Sequence, residues 1–419
     1  METAIDPNSD RAWAAATAQM IQDPTIVNLN TGSFGPLPRS VFERGQELRR
    51  QLAAEPTHFF IRQLPDLLWE ARTALADYLG TFPAQLVFTS NVSCAINLVA
   101  SGLRLSSPGE ILLTDHEYGA MHWCWQRAAR RQGLTFRTFP LPHHPVEPQE
   151  IVDAAVKAMT RHTRLLFFSH VLSPTGMVLP AQQLCAAARE RGIISVVDGA
   201  HAPAMIPLNV SHVGADYYTG NCHKWLLAPS GAGFLAATPG MAERLEPLQV
   251  SWGYYPDQYP IGTSANANAD RNARDQFGST PNIRHLEFEG TRDPVPWLCI
   301  PQAIAFQETL GRDRIRQRIA ALVQHTRVAF AGLGLLPATP IHPEMHGSLT
   351  GFHLPWTDRA VANPLREAIW KHRIEVPIIE RPDRLMIRIS THFYNQTHEI
   401  DQLVGILPAI FEAIHQSRK

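Results

Sequence analysis

Cysteine is scarce. The five cysteines in 419 residues (Cys94, Cys124, Cys185, Cys222 and Cys299) are odd in number and lack paired spacing, which excludes a disulfide framework and a zinc ribbon. An excess of either charge is missing too. With 37 Lys and Arg against 38 Asp and Glu, nothing electrostatic points to nucleic acid or an anionic membrane as a partner. The apolar stretches are strand-length and interrupted by charges, so no membrane-spanning helix is expected. No Walker-type or Gly-x-Gly-x-x-Gly fingerprint stands where a nucleotide would need one, and Gly231-Ala232-Gly233 comes too late in the chain to substitute. That argues against a nicotinamide-dependent dehydrogenase. The first ten residues carry neither a basic segment nor an apolar one, so no signal peptide is expected and a reduced, cytoplasmic setting is.

What is present is a globular composition, 45% hydrophobic and 18% charged, in a chain long enough for two domains or three. Helical and strand patterns alternate from about residue 30 to residue 240. Helical spacing joins Leu67, Leu68, Ala71, Leu75 and Leu79, and Leu86-Val87-Phe88 reads as a strand. Ser90-Asn91-Val92-Ser93 then caps a helix carrying Ala95, Ile96, Leu98 and Val99. Residues 110–114, 163–168 and 193–197 read as buried strands, with helices around 123–131 and 181–191. This rhythm predicts an α/β fold, a mostly parallel sheet with helices on both faces, whose ligands bind beyond the carboxyl ends of the strands. The polar residues that follow those strands are Asn91 and Ser93, His116 and Tyr118, His170 and Ser173, and Asp198 and His201. They are expected to converge on one edge. Residues from about 254 to 285 are polar and are expected to form a long, mobile surface loop near the site. Beyond about residue 310, helices around 315–323 and 365–369 and a strand at 386–390 predict a smaller C-terminal α+β domain.

Lys224 is the most informative residue. It sits between Tyr217-Tyr218-Thr219-Gly220-Asn221-Cys222-His223 and the apolar Trp225-Leu226-Leu227-Ala228. A lysine so placed loses solvation, which lowers its pKa and frees the amine for Schiff-base chemistry with a carbonyl substrate or with pyridoxal phosphate. Asp198, closing the apolar run 193–197, is the acid a pyridinium nitrogen needs, or else a cap for the following helix. Asn91-Val92-Ser93 offers a helix N-terminus to a phosphate, or is an ordinary cap. His116, His170, His201 and His223, with Asp115, Glu117 and Asp198, raise a metal-dependent hydrolase as an outside alternative. No His pair has zinc-helix spacing, so no metal is expected. A flat ring from His116 or Tyr118 suits a planar cofactor better. Arg388, inside an apolar strand, either grips a substrate carboxylate or pairs with a structural acid. Gly290-Thr291-Arg292-Asp293 reads as a tight turn presenting a hydroxyl and a guanidinium at a surface or interface.

Several segments together carry a resemblance. They are Leu29-Asn30-Thr31-Gly32-Ser33-Phe34-Gly35-Pro36, Phe59-Phe60-Ile61-Arg62, Thr114-Asp115-His116-Glu117-Tyr118-Gly119-Ala120 and His170-Val171-Leu172-Ser173-Pro174-Thr175-Gly176. Asp198-Gly199-Ala200-His201-Ala202, His223-Lys224-Trp225, Gly290-Thr291-Arg292-Asp293 and Arg373-Ile374-Glu375-Val376-Pro377 complete the set. Over about residues 28–410 the chain resembles the pyridoxal-phosphate enzymes of fold type I, class V aminotransferase group, in the isopenicillin N epimerase-like branch.

The resemblance implies that Lys224 forms the Schiff base with pyridoxal 5′-phosphate and that Asp198 pairs with the ring nitrogen. His116 would stack on the ring with Tyr118 near it, Ser173 would contact the ring hydroxyl, and His201 would border the ring. Asn91, Val92, Ser93, Asn221 and His223 would hold the phosphate, with Thr291 reaching it from the second subunit of a homodimer. Arg388 would grip the α-carboxylate of an amino-acid-like substrate, with Asn30 and Arg292 as further substrate-binding candidates. The implied division is an N-terminal arm (1–28), a large cofactor domain (29–285) and a connecting segment with the small domain (286–419). One departure is informative: 371–377 holds no cysteine, unlike the matching stretch of cysteine desulfurases, so persulfide chemistry is not expected. Lys224 would act as base at Cα, with Tyr118 or a histidine as a second acid. Epimerisation or racemisation is the first expectation, and C–S lysis or transamination on the same site the alternatives.

Overall fold

A computed structural model describes residues 6–142, 145–254, 274–275 and 277–418. Its central sheet has seven strands, in the spatial order Leu86–Thr89, Gly233–Ala237, Tyr217–Asn221, Ile194–Gly199, Thr163–Ser169, Glu110–Thr114, Thr135–Phe139. The last five run parallel to one another, and Gly233–Ala237 is antiparallel to both strands beside it. Strands covered on both faces tend to be apolar on both, so Glu110–Thr114, Thr163–Ser169 and Ile194–Gly199 each centre on an apolar run, whereas buried Tyr217–Asn221 includes Thr, Gly and Asn. The edge strand Thr135–Phe139 is mostly exposed or half-buried.

Successive strand residues point to opposite faces, and the two cores show it. On one face Leu113, Phe167, Val196 and Leu235 meet Ile96 and Val99 of helix Val92–Gly102 and Trp125 of helix Gly119–Gln132. On the other, Leu112, Leu166, Phe168 and Val197 pack with Leu75 of helix Leu64–Leu79, Ile151 of Pro148–Ala158 and Leu184 of Ala181–Arg189.

A second, antiparallel sheet has the order Ile378–Glu380, Leu385–Ser390, Leu349–His353. Helices Ala362–Trp370 and Thr397–Gln416 cover it through Leu365, Ile369, Leu403 and Leu407. The N-terminal residues pack here as well. Trp13 of helix Asp10–Thr17 lies among Ile315, Ile319 and Phe393, and Val27–Asn28 pairs in parallel with Ile374–Glu375. Among the described residues no helix is long and apolar enough to cross a membrane.

The polar stretch expected as one loop from about 254 to 285 needs correction at its end. Pro281–Glu287 is a helix whose Ile283, Arg284, His285 and Glu287 are buried. Glu287 pairs with buried Arg72 at 2.7 Å and accepts the Phe88 amide at 2.6 Å. That carboxylate pins the helix to the strand leading into Asn91, and a seven-residue helix is too short for periodicity to announce it. Residues 255–273 of that expected loop lie outside the described residues.

Candidate active site

The carboxyl ends of the parallel strands open onto a cavity of about 620 Å³. Lys224, Asp198, His201, Asn221, His223, Ser173, Tyr118 and Arg388 all line it, as do Asn91, Val92 and Ser93. Lys224 lies in the loop just past strand Tyr217–Asn221, after Cys222 and His223. Its loop is backed by Gly35, whose amide donates to the His223 carbonyl at 3.1 Å; a Cβ at position 35 would collide with the Lys224 carbonyl. Lys224 Nζ lies 3.2 Å from His201 Nε2. Burial pulls the amine down to about 7, against the opposing pull of Asp198. Burial also lifts Asp198 above the usual carboxylate range, although its Oδ1 accepts the Ala200 amide at 2.8 Å and Lys224 stands nearby.

At one end of the cavity stands the N-terminus of helix Val92–Gly102. Asn91 caps it by accepting the Cys94 amide at 3.0 Å, and Asn221 Oδ1 accepts the Val92 amide at 3.0 Å. Gly233 lets the neighbouring strand pass close behind, since a Cβ there would lie 2.7 Å from Asn91 Cα. His223 donates from Nδ1 to the Ala232 carbonyl at 3.1 Å, which directs its Nε2 elsewhere. Ser90, Ser230 and Gly231 also line this end. Sequence reasoning missed them, and Ser230-Gly231 closing the apolar run after Lys224 was the available signal. A helix N-terminus ringed by hydroxyls is suited to a phosphate.

Arg388 sits at the other end, fully enclosed. Its Nη1 donates to the Ser173 carbonyl and hydroxyl at 2.8 and 2.9 Å. Its Nη2 reaches Asn30 Oδ1 at 3.3 Å and Ser33 Oγ at 3.4 Å, and its Nε is unpaired. All these partners are neutral, and burial brings the guanidinium down to about 10. A buried cation held by neutral acceptors is completed by an anionic ligand.

Not every expected residue arrives. His116 turns away from this cavity: its Nδ1 lies 2.6 Å from Asp115 Oδ1, and it lines a separate small cleft with Arg381 and Met386. Asp115 is itself fixed by the Leu141 amide at 3.0 Å and draws the imidazole to that side, so His116 is absent from a cavity wall that carries Tyr118 and Phe34. Thr291 is exposed and lines no part of the cavity. Arg292 approaches from behind, donating to Ser90 Oγ at 3.1 Å above the Trp297 ring. Asn30 lies behind Arg388, and His170 faces away onto the Tyr218 hydroxyl at 2.8 Å. Glu117, read from sequence only as a possible metal ligand, is a buried acceptor for the Thr114 hydroxyl (2.6 Å) and for the Ser169 hydroxyl and amide (2.5 and 3.2 Å). Burial pushes it up to about 7, and the nearby Asp198 adds to the rise. Among the described residues no three His, Cys, Asp or Glu side chains are grouped to hold a metal.

The model of the family described as aminotransferase class-V matches residues 27–403. The chain belongs to the class V aminotransferase family. It is 52% identical over 401 residues to the isopenicillin N epimerase of Streptomyces clavuligerus, spanning 95% of this chain and 98% of that protein. It is 51% identical over 402 residues to that of Amycolatopsis lactamdurans, spanning 94% and 98%. In fold it is similar to an Escherichia coli cysteine desulfurase, at a TM-score of 0.78 and 20% identity over 97% of this chain and 99% of that one. This member of the class V aminotransferase family is accordingly a pyridoxal 5′-phosphate enzyme acting on an amino acid, similar in sequence to epimerases. The expected architecture, a type I fold with a mostly parallel sheet and a smaller C-terminal sheet, is the one observed. The cavity suits the cofactor: a hydroxyl-ringed helix N-terminus for its phosphate, an amine at about 7 for its aldehyde and a buried acid for its ring.

Proposed function

We propose that this enzyme inverts the amino-acid centre of isopenicillin N or of a compound with the same amino-acid head. The observation that carries the reading is the pairing, in one cavity, of a deprotonatable Lys224 amine with a buried Arg388 guanidinium whose own partners are all neutral. Pyridoxal phosphate, when bound, supplies a conjugated electron sink for the charge left on Cα. Arg388 holds the α-carboxylate through two N–H groups, helped by Asn30, and so fixes which Cα bond meets Lys224. The Lys224 amine, at about 7, takes the Cα proton near neutral pH and keeps it on Nζ. We assign the returning proton on the other side to the Tyr118 hydroxyl.

Asp198 would face the ring nitrogen, with Ser173 and His201 at the ring edge. Asn91, Val92, Ser93, Asn221 and His223, joined by Ser90, Ser230 and Gly231, would hold the phosphate. His116 keeps at most an indirect part, through Asp115. We further propose a cytoplasmic homodimer in which Thr291 serves the partner's cavity, while Arg292 stays against Ser90 of its own chain; the exposure of Thr291 in its own chain supports this. No cysteine lines the cavity among the described residues, which speaks against persulfide chemistry.

The test is turnover of isopenicillin N in deuterated water. Solvent deuterium entering Cα with inversion supports the proposal. Keto acid with a pyridoxamine spectrum would make the enzyme a transaminase, and pyruvate with released sulfide from cysteine or cystine a lyase. Either result without Cα inversion overturns the proposal. For the dimer, mixed assemblies of Lys224→Ala and Thr291→Lys chains should regain activity that neither variant has alone.

A further inference from the structure

Trp225, next to Lys224, is fully buried, yet its indole N–H is not left without a partner: it lies 3.4 Å from His201 Nδ1. The other ring nitrogen of His201, Nε2, lies 3.2 Å from Lys224 Nζ. An indole N–H can only donate, so Nδ1 must accept, and a neutral imidazole then carries its hydrogen on Nε2. Trp225 is itself locked. Its carbonyl accepts Gln307 Nε2 at 2.7 Å and His392 Nε2 at 3.0 Å, and the His392 ring stacks against its indole.

We propose that Trp225 is a positioning residue that fixes His201 as the Nε2–H tautomer, making it a hydrogen-bond donor beside Lys224 and never a competing base. Protonating His201 would set a second N–H against the indole N–H, so the proton on Lys224 has no imidazole to leak to. Lys224 and Arg388, whose charges face His201, oppose its protonation as well, and burial acts in the same direction. Asp198 and His223 share the cavity wall.

The inference rests on Lys224 as the proton-carrying amine but not on which reaction follows, so its test needs no turnover. Full-length holoenzyme with 15N-labelled histidine side chains, assigned with His201→Asn, should show Nδ1 unprotonated and Nε2 protonated from about pH 5.5 to pH 9. In Trp225→Phe the His201 signals should titrate, with a midpoint raised by at least about one unit toward the ordinary histidine range. The absorption of the bound cofactor should gain the same titration, and Trp225→Phe with His201→Asn should lose it. An Nδ1–H tautomer in the parent protein, or unchanged His201 titration in Trp225→Phe, overturns the assignment. Should Trp225→Phe fail to fold, the tautomer in the parent protein decides alone. Failure of Cα inversion with the tautomer intact would strike only the proposed reaction.

Discussion

Replacing Arg388 by Met should make the protein more stable and much less active. The guanidinium is 3% exposed, and burial takes it from 12.5 to about 10. Such a depression means the folded state disfavours the cation by roughly 3 kcal/mol, at 1.36 kcal/mol per unit. The sign follows from where the protein works. Near neutral pH arginine is charged in both states, so the full penalty is present, and it fades only as pH rises above about 10. Methionine removes that penalty but strands the Ser173 and Asn30 acceptors, costing about 1–2 kcal/mol. The net gain of about 1–2 kcal/mol should raise the melting temperature of the cofactor-free protein by a few degrees. Activity moves the other way. Losing one member of a buried, hydrogen-bonded charge pair costs about 2–5 kcal/mol, or roughly 30- to 5,000-fold in kcat/KM. Calorimetry and initial rates on the same preparations read both quantities. Destabilisation together with less than a tenfold loss of kcat/KM would mean that Arg388 is structural and does not hold the substrate carboxylate.

Lys224→Ala should abolish turnover and the visible absorption of the reconstituted protein. In the cofactor-free parent, acylation of this amine should titrate with a midpoint of about 7, and a midpoint near that of an ordinary lysine would contradict its burial. Glu117, pushed up to about 7 from 4.5, binds its proton more tightly when folded, so stability should fall as pH rises from about 4.5 to 7. Glu117→Gln should flatten that fall by up to about 3 kcal/mol in urea unfolding; parallel curves for parent and variant would refute it. Glu287→Gln strips the partner from buried Arg72 and should cost about 3–5 kcal/mol. It should also weaken inorganic phosphate binding, because the strand ending at Thr89 carries the Asn91 turn; unaltered phosphate affinity would separate that pair from the site.

Much of the fold was legible because burial writes itself into short apolar runs. Residues 110–114 and 163–168 could only be strands covered on both faces, and Asn91 before an apolar helical pattern could only be a cap or an anion site. Strands Tyr217–Asn221 and Gly233–Ala237 were harder to see, because Gly220 and Gly233 are there to let Phe234 and Asn91 approach, a requirement set by neighbours distant in sequence.

The site divides in the same way. The sequence by itself determined the chemistry available: an amine in an apolar setting, an acid closing a strand, a helix N-terminus, an arginine in a buried strand. Each of these is a local property of residue type and flanking pattern. Only the tertiary structure decided which of them share a cavity and how each points. It turned His116 toward Asp115 and left Tyr118 on the wall, since orientation beyond a strand end depends on partners such as the Leu141 amide. It also set the Trp225 indole against His201. A tautomer depends on a contact between two strand ends, and no local pattern encodes that.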